Sequence, residues 1–343
     1  MELGISTFGE VQPDGKPGNA VNAHLRAQQL LEEVKLADEV GLDVFCFGEH
    51  HRPDFVISAP EVFMAAAASI TKNIRLSSSV TVLSSADPVR TFQNFATVDL
   101  LSGGRAEILA GRGSFIETFP LFGYDLNDYD ELFSEKLALL LQINKEEIVN
   151  WKGEFRAPIA NRGVYPRPLQ EQLPVWLGVG GTPASAKRAG TLNLPMMIAI
   201  LGSAPRHFVS FAELYREAAA KAGHDVSQLQ LGISSQFYIA EDERTAVKDF
   251  YPSYEALMNR VGRERGWSPM SREQFEYLRA DGPLVVGDPQ MAIDKILEQH
   301  SLFNNTRFLA QLVTGHTSHT GILKAIELFG TKVAPAVRKE LGQ

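Results

Sequence analysis

Four short stretches of the chain combine residue types able to do chemistry, and each follows an apolar run. The first is Gly48-Glu49-His50-His51-Arg52-Pro53, two adjacent histidines behind a carboxylate. An imidazole titrates near neutral pH and suits proton transfer, although one in this place can equally cap a helix or pair with Glu49. The second is Ser77-Ser78-Ser79-Val80-Thr81, continuing to Ser84-Ser85. It carries more hydroxyls than packing needs, and for Ser77 and Ser78 hydrogen bonding to neighbouring backbone is the plainer role. The third is Gly111-Arg112-Gly113, where glycines let backbone approach an anion that a guanidinium can grip; a structural ion pair is the alternative use of such an arginine. The fourth is Gly178-Val179-Gly180-Gly181-Thr182-Pro183-Ala184-Ser185. Glycines followed by proline in a first helical turn leave a free helix N-terminus, which attracts anions through its unpaired N–H groups. Its spacing is not the dinucleotide fingerprint, because Pro183 stands where a third glycine belongs. Together the third and fourth stretches point to a bound phosphate, and a phosphate in an apolar, hydroxyl-lined setting suggests a phosphorylated cofactor rather than a sugar.

The elements that must position these stretches alternate along the whole chain. Strands are predicted at 2–8, 43–48, 75–83, 105–110, 175–179, 196–201, 229–239 and 306–313. Between them run amphipathic helices, such as 22–40, where Leu30, Leu31, Val34, Ala37 and Val40 recur at helical spacing before Gly41. Eight strand–helix units argue for a (β/α)8 TIM barrel, an α/β fold, with an open doubly wound sheet as the rival. In such a barrel the chemistry sits at the C-terminal strand ends, and the four stretches lie at the ends of strands two to five. Two segments break the alternation. Residues 150–174, rich in Pro, Gly and aromatics, read as an irregular excursion or hairpin, and the polar 263–283 as an irregular insertion able to serve as a lid. Residues 1–343 are expected to form one barrel domain with these two insertions.

Composition removes other classes. The chain of 343 residues is 44% hydrophobic and 22% charged, enough for a large core. Its 33 basic against 41 acidic residues leave a net charge of −8, which disfavours nucleic acid and anionic membrane as partners. The lone Cys46 excludes intramolecular disulfides and cysteine-rich metal sites. No apolar run reaches the ~18 residues of a spanning helix, and the N-terminus lacks signal-peptide regions, so a cytoplasmic enzyme is expected. A metal site would need His50 with His316 and His319, and a metal is not expected.

At these residues the chain resembles the bacterial luciferase-like flavin-dependent monooxygenases. The likeness comprises Glu49-His50-His51, Ile74-Arg75-Leu76, Asp87-Pro88-Val89-Arg90 and Asp99-Leu100-Leu101-Ser102-Gly103-Gly104-Arg105. It continues through Tyr165-Pro166-Arg167-Pro168-Leu169-Gln170 and Gly287-Asp288-Pro289 to Ala325-Ile326-Glu327-Leu328-Phe329 and Val333-Ala334-Pro335.

The resemblance implies FMN as cofactor, with Arg112 on its phosphate and Gly180, Gly181 and Ser185 holding the other phosphate oxygens. It implies a non-prolyl cis peptide at Ser79–Val80, with Ser79, Val80 and Thr81 lining the flavin ring. It makes His50 the catalytic residue that manages protons, with Glu49 or a backbone group setting its tautomer. Reduced FMN from a separate NAD(P)H:flavin reductase and O2 would then oxygenate a small organic substrate. Gly111 replaces the reactive cysteine of the luciferases, which argues against light emission. Relatives that use a deazaflavin keep hydride transfer open, and a non-catalytic flavin-binding protein is the third reading. Phe8, Phe115, Phe119, Phe122 and Trp267 are candidates for an apolar substrate wall. A homodimer through the second and third helices is expected.

Overall fold

Strand pairing decides between the closed and the open sheet. The computed structural model describes residues 1–11, 20–113, 115–315 and 317–343. In chain order its elements are β1 (Glu2–Thr7), α1 (Ala20–Glu39), β2 (Val44–Phe47), α2 (Pro60–Ala68), β3 (Arg75–Ser78), β4 (Thr81–Val82), α3 (Pro88–Ser102) and β5 (Ala106–Gly111). Next come α4 (Thr118–Phe122), α5 (Tyr129–Lys145), β6 (Ile148–Trp151), β7 (Ile159–Gly163), β8 (Val175–Val179), α6 (Pro183–Thr191), β9 (Met196–Ile200), α7 (Val209–Lys221) and β10 (Leu231–Ile239). The last are α8 (Glu243–Arg265), α9 (Arg272–Ala280), β11 (Val285–Gly287), α10 (Pro289–Phe303), β12 (Arg307–Leu312), α11 (His319–Leu328) and α12 (Ala334–Glu340). Parallel pairing runs β1-β2-β3-β5-β8-β9-β10-β12 and returns to β1, closing eight staves into a (β/α)8 barrel.

Local signals start and stop the helices where sequence rules put them. Asp87 accepts from the N–H groups of Val89 and Arg90, Pro88 opens α3, and Gly103 ends it in the left-handed conformation. Asp288 and Pro289 do the same for α10, which Asn304 closes. Residues 150–174 contain part of the antiparallel β6–β7 hairpin, which begins earlier, at Ile148. Residues 263–283 correct the expectation of an irregular insertion. They hold the end of α8 and the whole of α9, which Ser271 caps by accepting from Gln274 N–H and which buries Phe275 and Leu278. Its polar outer face hid the periodicity. β11 also went uncounted; it pairs with β10 alone, outside the barrel ring. Among the described residues no helix is long and apolar enough to cross a membrane.

Side-chain alternation turns Leu3, Ile5, Phe45, Leu76, Ile108 and Phe308 outward to the helices. The alternate positions fill the barrel. Near the N-terminal strand ends Arg307 and Glu107 form a two-pronged ion pair, both buried, with Glu2 accepting from Arg307 Nε at 2.7 Å. The guanidinium lies 4.2 Å from the Trp176 ring. Above them Val44, Cys46, Leu109, Trp176, Met197 and Leu309 make an apolar plug. Burial pushes the Cys46 thiol well above its usual range, so it packs rather than reacts.

The third stave is broken where the functional residues lie. Ser77 pairs with Glu107 and Thr81 with Ala110, so three residues on one stave face two on the other. The bulge contains a cis peptide between Ser79 and Val80. It brings Val80 onto the apolar plug, against Gly111 and Gly178. Many resemblance motifs sit instead at the opposite end. Asp99 accepts from the N–H groups of Leu169, Gln170 and Ala106, and Arg105 donates to the Ile74 carbonyl, so these residues tie the barrel bottom.

Removing Glu107 takes from the buried Arg307 its buried carboxylate and leaves it the part-exposed Glu2. Glu107→Ala is expected to cost about 3–5 kcal/mol of unfolding free energy by urea denaturation, with Glu107→Gln costing less.

Candidate active site

At the C-terminal strand ends the β2 loop carries His50, held by its own backbone N–H donating to the Ile57 carbonyl at 2.9 Å. Its ring is enclosed by Phe8, Phe55 and Phe115, with centroids 4.5, 4.6 and 4.8 Å away. Burial, then electrostatic repulsion from Arg52, the neighbouring His51 ring and Arg260, depress the His50 pKa to about 3. The imidazole is therefore neutral at pH 7, and among the described residues it makes no hydrogen bond. The expectation that Glu49 orients it does not hold. Glu49 bonds His51 Nε2 at 2.8 Å and accepts from Val82 N–H at 2.8 Å, tying the β2 loop to the bulged stave. Outside the aromatic ring of residues, Arg52 pairs with Glu264 and Asp54 with Arg260, which seats the end of α8 over this loop.

The bulge supplies the neighbouring wall. Ser79 N–H donates to the Phe47 carbonyl at 2.8 Å, and the buried Thr81 Oγ1 has no partner among the described residues. Ser78, by contrast, is spent on the Leu109 backbone, as its plainer reading holds. A Cβ built on Gly111 would lie 2.6 Å from Val80 Cγ2, and one on Gly178 2.9 Å from Val80 Cγ1. Both positions must be glycine for Val80 to turn inward.

The third and fourth stretches meet. Arg112 Nη2 donates to Thr182 Oγ1 at 2.8 Å, across two adjacent staves. Its Nη1 is ion-paired with Asp130, and its guanidinium carbon lies 4.8 Å from the Tyr129 ring centroid, whose hydroxyl donates to the Gly113 carbonyl. Thr182 is the N-cap residue of α6, yet its side chain makes no cap bond, since it serves Arg112 instead. Ser185 N–H turns back onto the Thr182 carbonyl at 3.0 Å, while a Cβ on Gly180 or Gly181 would meet nothing within 4 Å. Open backbone, the start of α6 and a guanidinium therefore share one spot. Arg188, whose pKa is lowered by burial and then by the charge of Arg112, adds a second cation. Sequence reasoning named neither Arg188 nor Asp130 and Tyr129 at the start of α5, which no local pattern connects to Arg112.

The remaining expectations divide. Phe8 and Phe115 line the site, but Phe119 is buried against Tyr129, and Phe122 and Trp267 are about half exposed. His319 Nε2 bonds Glu32 at 2.7 Å and its Nδ1 lies 3.4 Å from Glu33, and His316 lies outside the described residues. Among the described residues no group of three or more metal-ligating side chains forms.

Residues 1–305 match the sequence model of the luciferase-like monooxygenases. The chain belongs to that family. Membership makes it an oxidoreductase of the monooxygenase class. It is 26% identical over 330 residues to limonene 1,2-monooxygenase of Rhodococcus erythropolis, covering 94% of this chain and 84% of that one. It is 31% identical over 285 residues to the F420-dependent glucose-6-phosphate dehydrogenase of Amycolatopsis mediterranei, covering 78% and 84%. The FMN complex of the oxygenating constituent of 3,6-diketocamphane monooxygenase from Pseudomonas putida superposes with a TM-score of 0.79, at 21% identity over 98% of both chains, a likeness of fold. The family match ends before the closing motifs at 325–335 of this luciferase-like monooxygenase.

Two outcomes follow from this packing. Gly111→Cys should cost about 1–3 kcal/mol through overpacking, and Val80→Ala in the same chain should recover most of the loss in thermal denaturation. Because folding lowers the His50 pKa, the unfolded chain takes up a proton that the folded one refuses as pH falls below 6.5. This group then withdraws stability from pH 6.5 down to about 3, roughly 2 kcal/mol of it by pH 5. His50→Gln should flatten that part of the stability–pH curve.

Proposed function

We propose that the chain is an FMN-dependent monooxygenase that uses reduced flavin and O2 to oxygenate a small, largely apolar organic substrate. The observation that carries this reading is the junction of Arg112 with Thr182 beside the open Gly180-Gly181 backbone. The residues fit the cofactor. Arg112, Gly180, Gly181 and the α6 start around Ser185 would take its phosphate, and Ser79, Val80 and the unpartnered Thr81 hydroxyl would line its ring. When bound in reduced form, the flavin supplies the activation of O2.

The protein's share is binding, shielding and proton control. Phe8, Phe55 and Phe115 keep water from His50 and offer apolar surface to a substrate. A base this reluctant to become imidazolium holds one proton on one ring nitrogen and presents the other as acceptor. It moves a proton by taking one as it releases another, and stays neutral at pH 7. A cytoplasmic homodimer served by a separate NAD(P)H:flavin reductase completes the reading; exposed Val62 on α2 and Leu100 and Leu101 on α3 support the dimer face.

Hydride transfer with a deazaflavin is the second reading, favoured by the 31% identity to an F420-dependent dehydrogenase. Mixing the protein with each reduced cofactor, with and without air, separates the two. Reduced FMN should be consumed with O2 and yield an oxygenated product from an apolar substrate panel; turnover confined to anaerobic deazaflavin would overturn the proposal. Arg112→Ala should weaken FMN about 10- to 100-fold by flavin-fluorescence titration and leave riboflavin unchanged, the loss of a charge-assisted contact that only the phosphate makes.

A further inference from the structure

The arginine at the anion site already holds an anion. Arg112 spends Nη2 on Thr182 and Nη1 on the Asp130 carboxylate, while Tyr129 covers its face. Asp130 stands in the first turn of α5, with its side chain 63% exposed against 16% for Arg112. Among the described residues no other side chain or backbone group bonds this carboxylate, and an ion pair so open to water is easily exchanged. The nearby Arg188, bonded to Ser134 Oγ at 2.9 Å, feels both charges of the pair.

We infer that Asp130 is a resident competitor at the phosphate end of the site, a specificity-determining residue whose carboxylate holds Arg112 until a phosphorylated cofactor replaces it. This rests on the reading of Arg112 as phosphate ligand. A phosphate reaching Arg112 must take the Nη1 contact or sit beside the carboxylate, and in both cases like charges oppose it. Asp130 thereby lowers the affinity of the site for phosphate while leaving the ring pocket untouched. A structural role in positioning Arg112 predicts the opposite sign, since the guanidinium would then lose its aim without Asp130.

The test titrates wild type, Asp130→Asn, Asp130→Ala and Arg112→Ala with FMN and with riboflavin, followed by flavin fluorescence, and with inorganic phosphate, followed by thermal shift. Circular dichroism checks that each variant is folded. Asp130→Asn and Asp130→Ala should bind FMN about 3- to 10-fold tighter with riboflavin unchanged, and phosphate should stabilise both variants more than wild type. Unchanged or weaker FMN binding in both variants overturns the inference while leaving the phosphate role of Arg112 standing if Arg112→Ala still loses FMN. If wild type binds no FMN, the cofactor reading fails, and the phosphate arm alone decides on Asp130: no gain over wild type overturns it.

Discussion

The contact of Val80 with Gly111 and Gly178 is the constraint on which the site depends. A one-residue bulge in the third stave turns Val80 inward, and the two glycines opposite leave the space it fills. Below it the barrel is a dry plug of Val44, Cys46, Leu109, Trp176, Met197 and Leu309. Beyond it lie Thr81, whose hydroxyl has no partner among the described residues, the His50 loop and the Arg112 junction. With Val80 in position there is no room for a side chain at residue 111.

Two arginines show how burial assigns different tasks to one residue type. Arg307 is buried with Glu107 against the face of Trp176, with the part-exposed Glu2 at its outer side, and removing Glu107 there leaves a buried charge short of its buried partner. Arg112 sits at the rim with an exposed carboxylate, where water offsets most of what exchanging a partner costs. The first is fixed structure. The second is available to a ligand.

His50 marks where reading residues in order falls short. Its place after the second strand was legible, and so were the hydroxyl run, Arg112 and the glycines before Pro183, because barrel chemistry gathers at strand ends. Its environment was not. Phe8, Phe115 and Arg260 reach it from separate segments and join Arg52 and Phe55 of its own loop, and together they turn a residue that titrates near neutrality into one that stays uncharged. Glu49, its neighbour in sequence, is diverted to His51 and Val82. The helix α9 was missed for a related reason: its polar face outweighs the two apolar residues it buries.

Period and punctuation along the chain determined the eight strands, the helices between them, their caps at Asp87 and Asp288, and hence the barrel, since these are interactions among residues a few positions apart. Composition alone placed Cys46 outside any disulfide. Only the tertiary structure decided which side chains meet. Register and closure set Arg112 against Thr182 and Asp130, gave Val80 its glycines and brought Phe8 and Phe115 to His50, because such contacts depend on the relative placement of distant strands and loops, which no local spacing encodes.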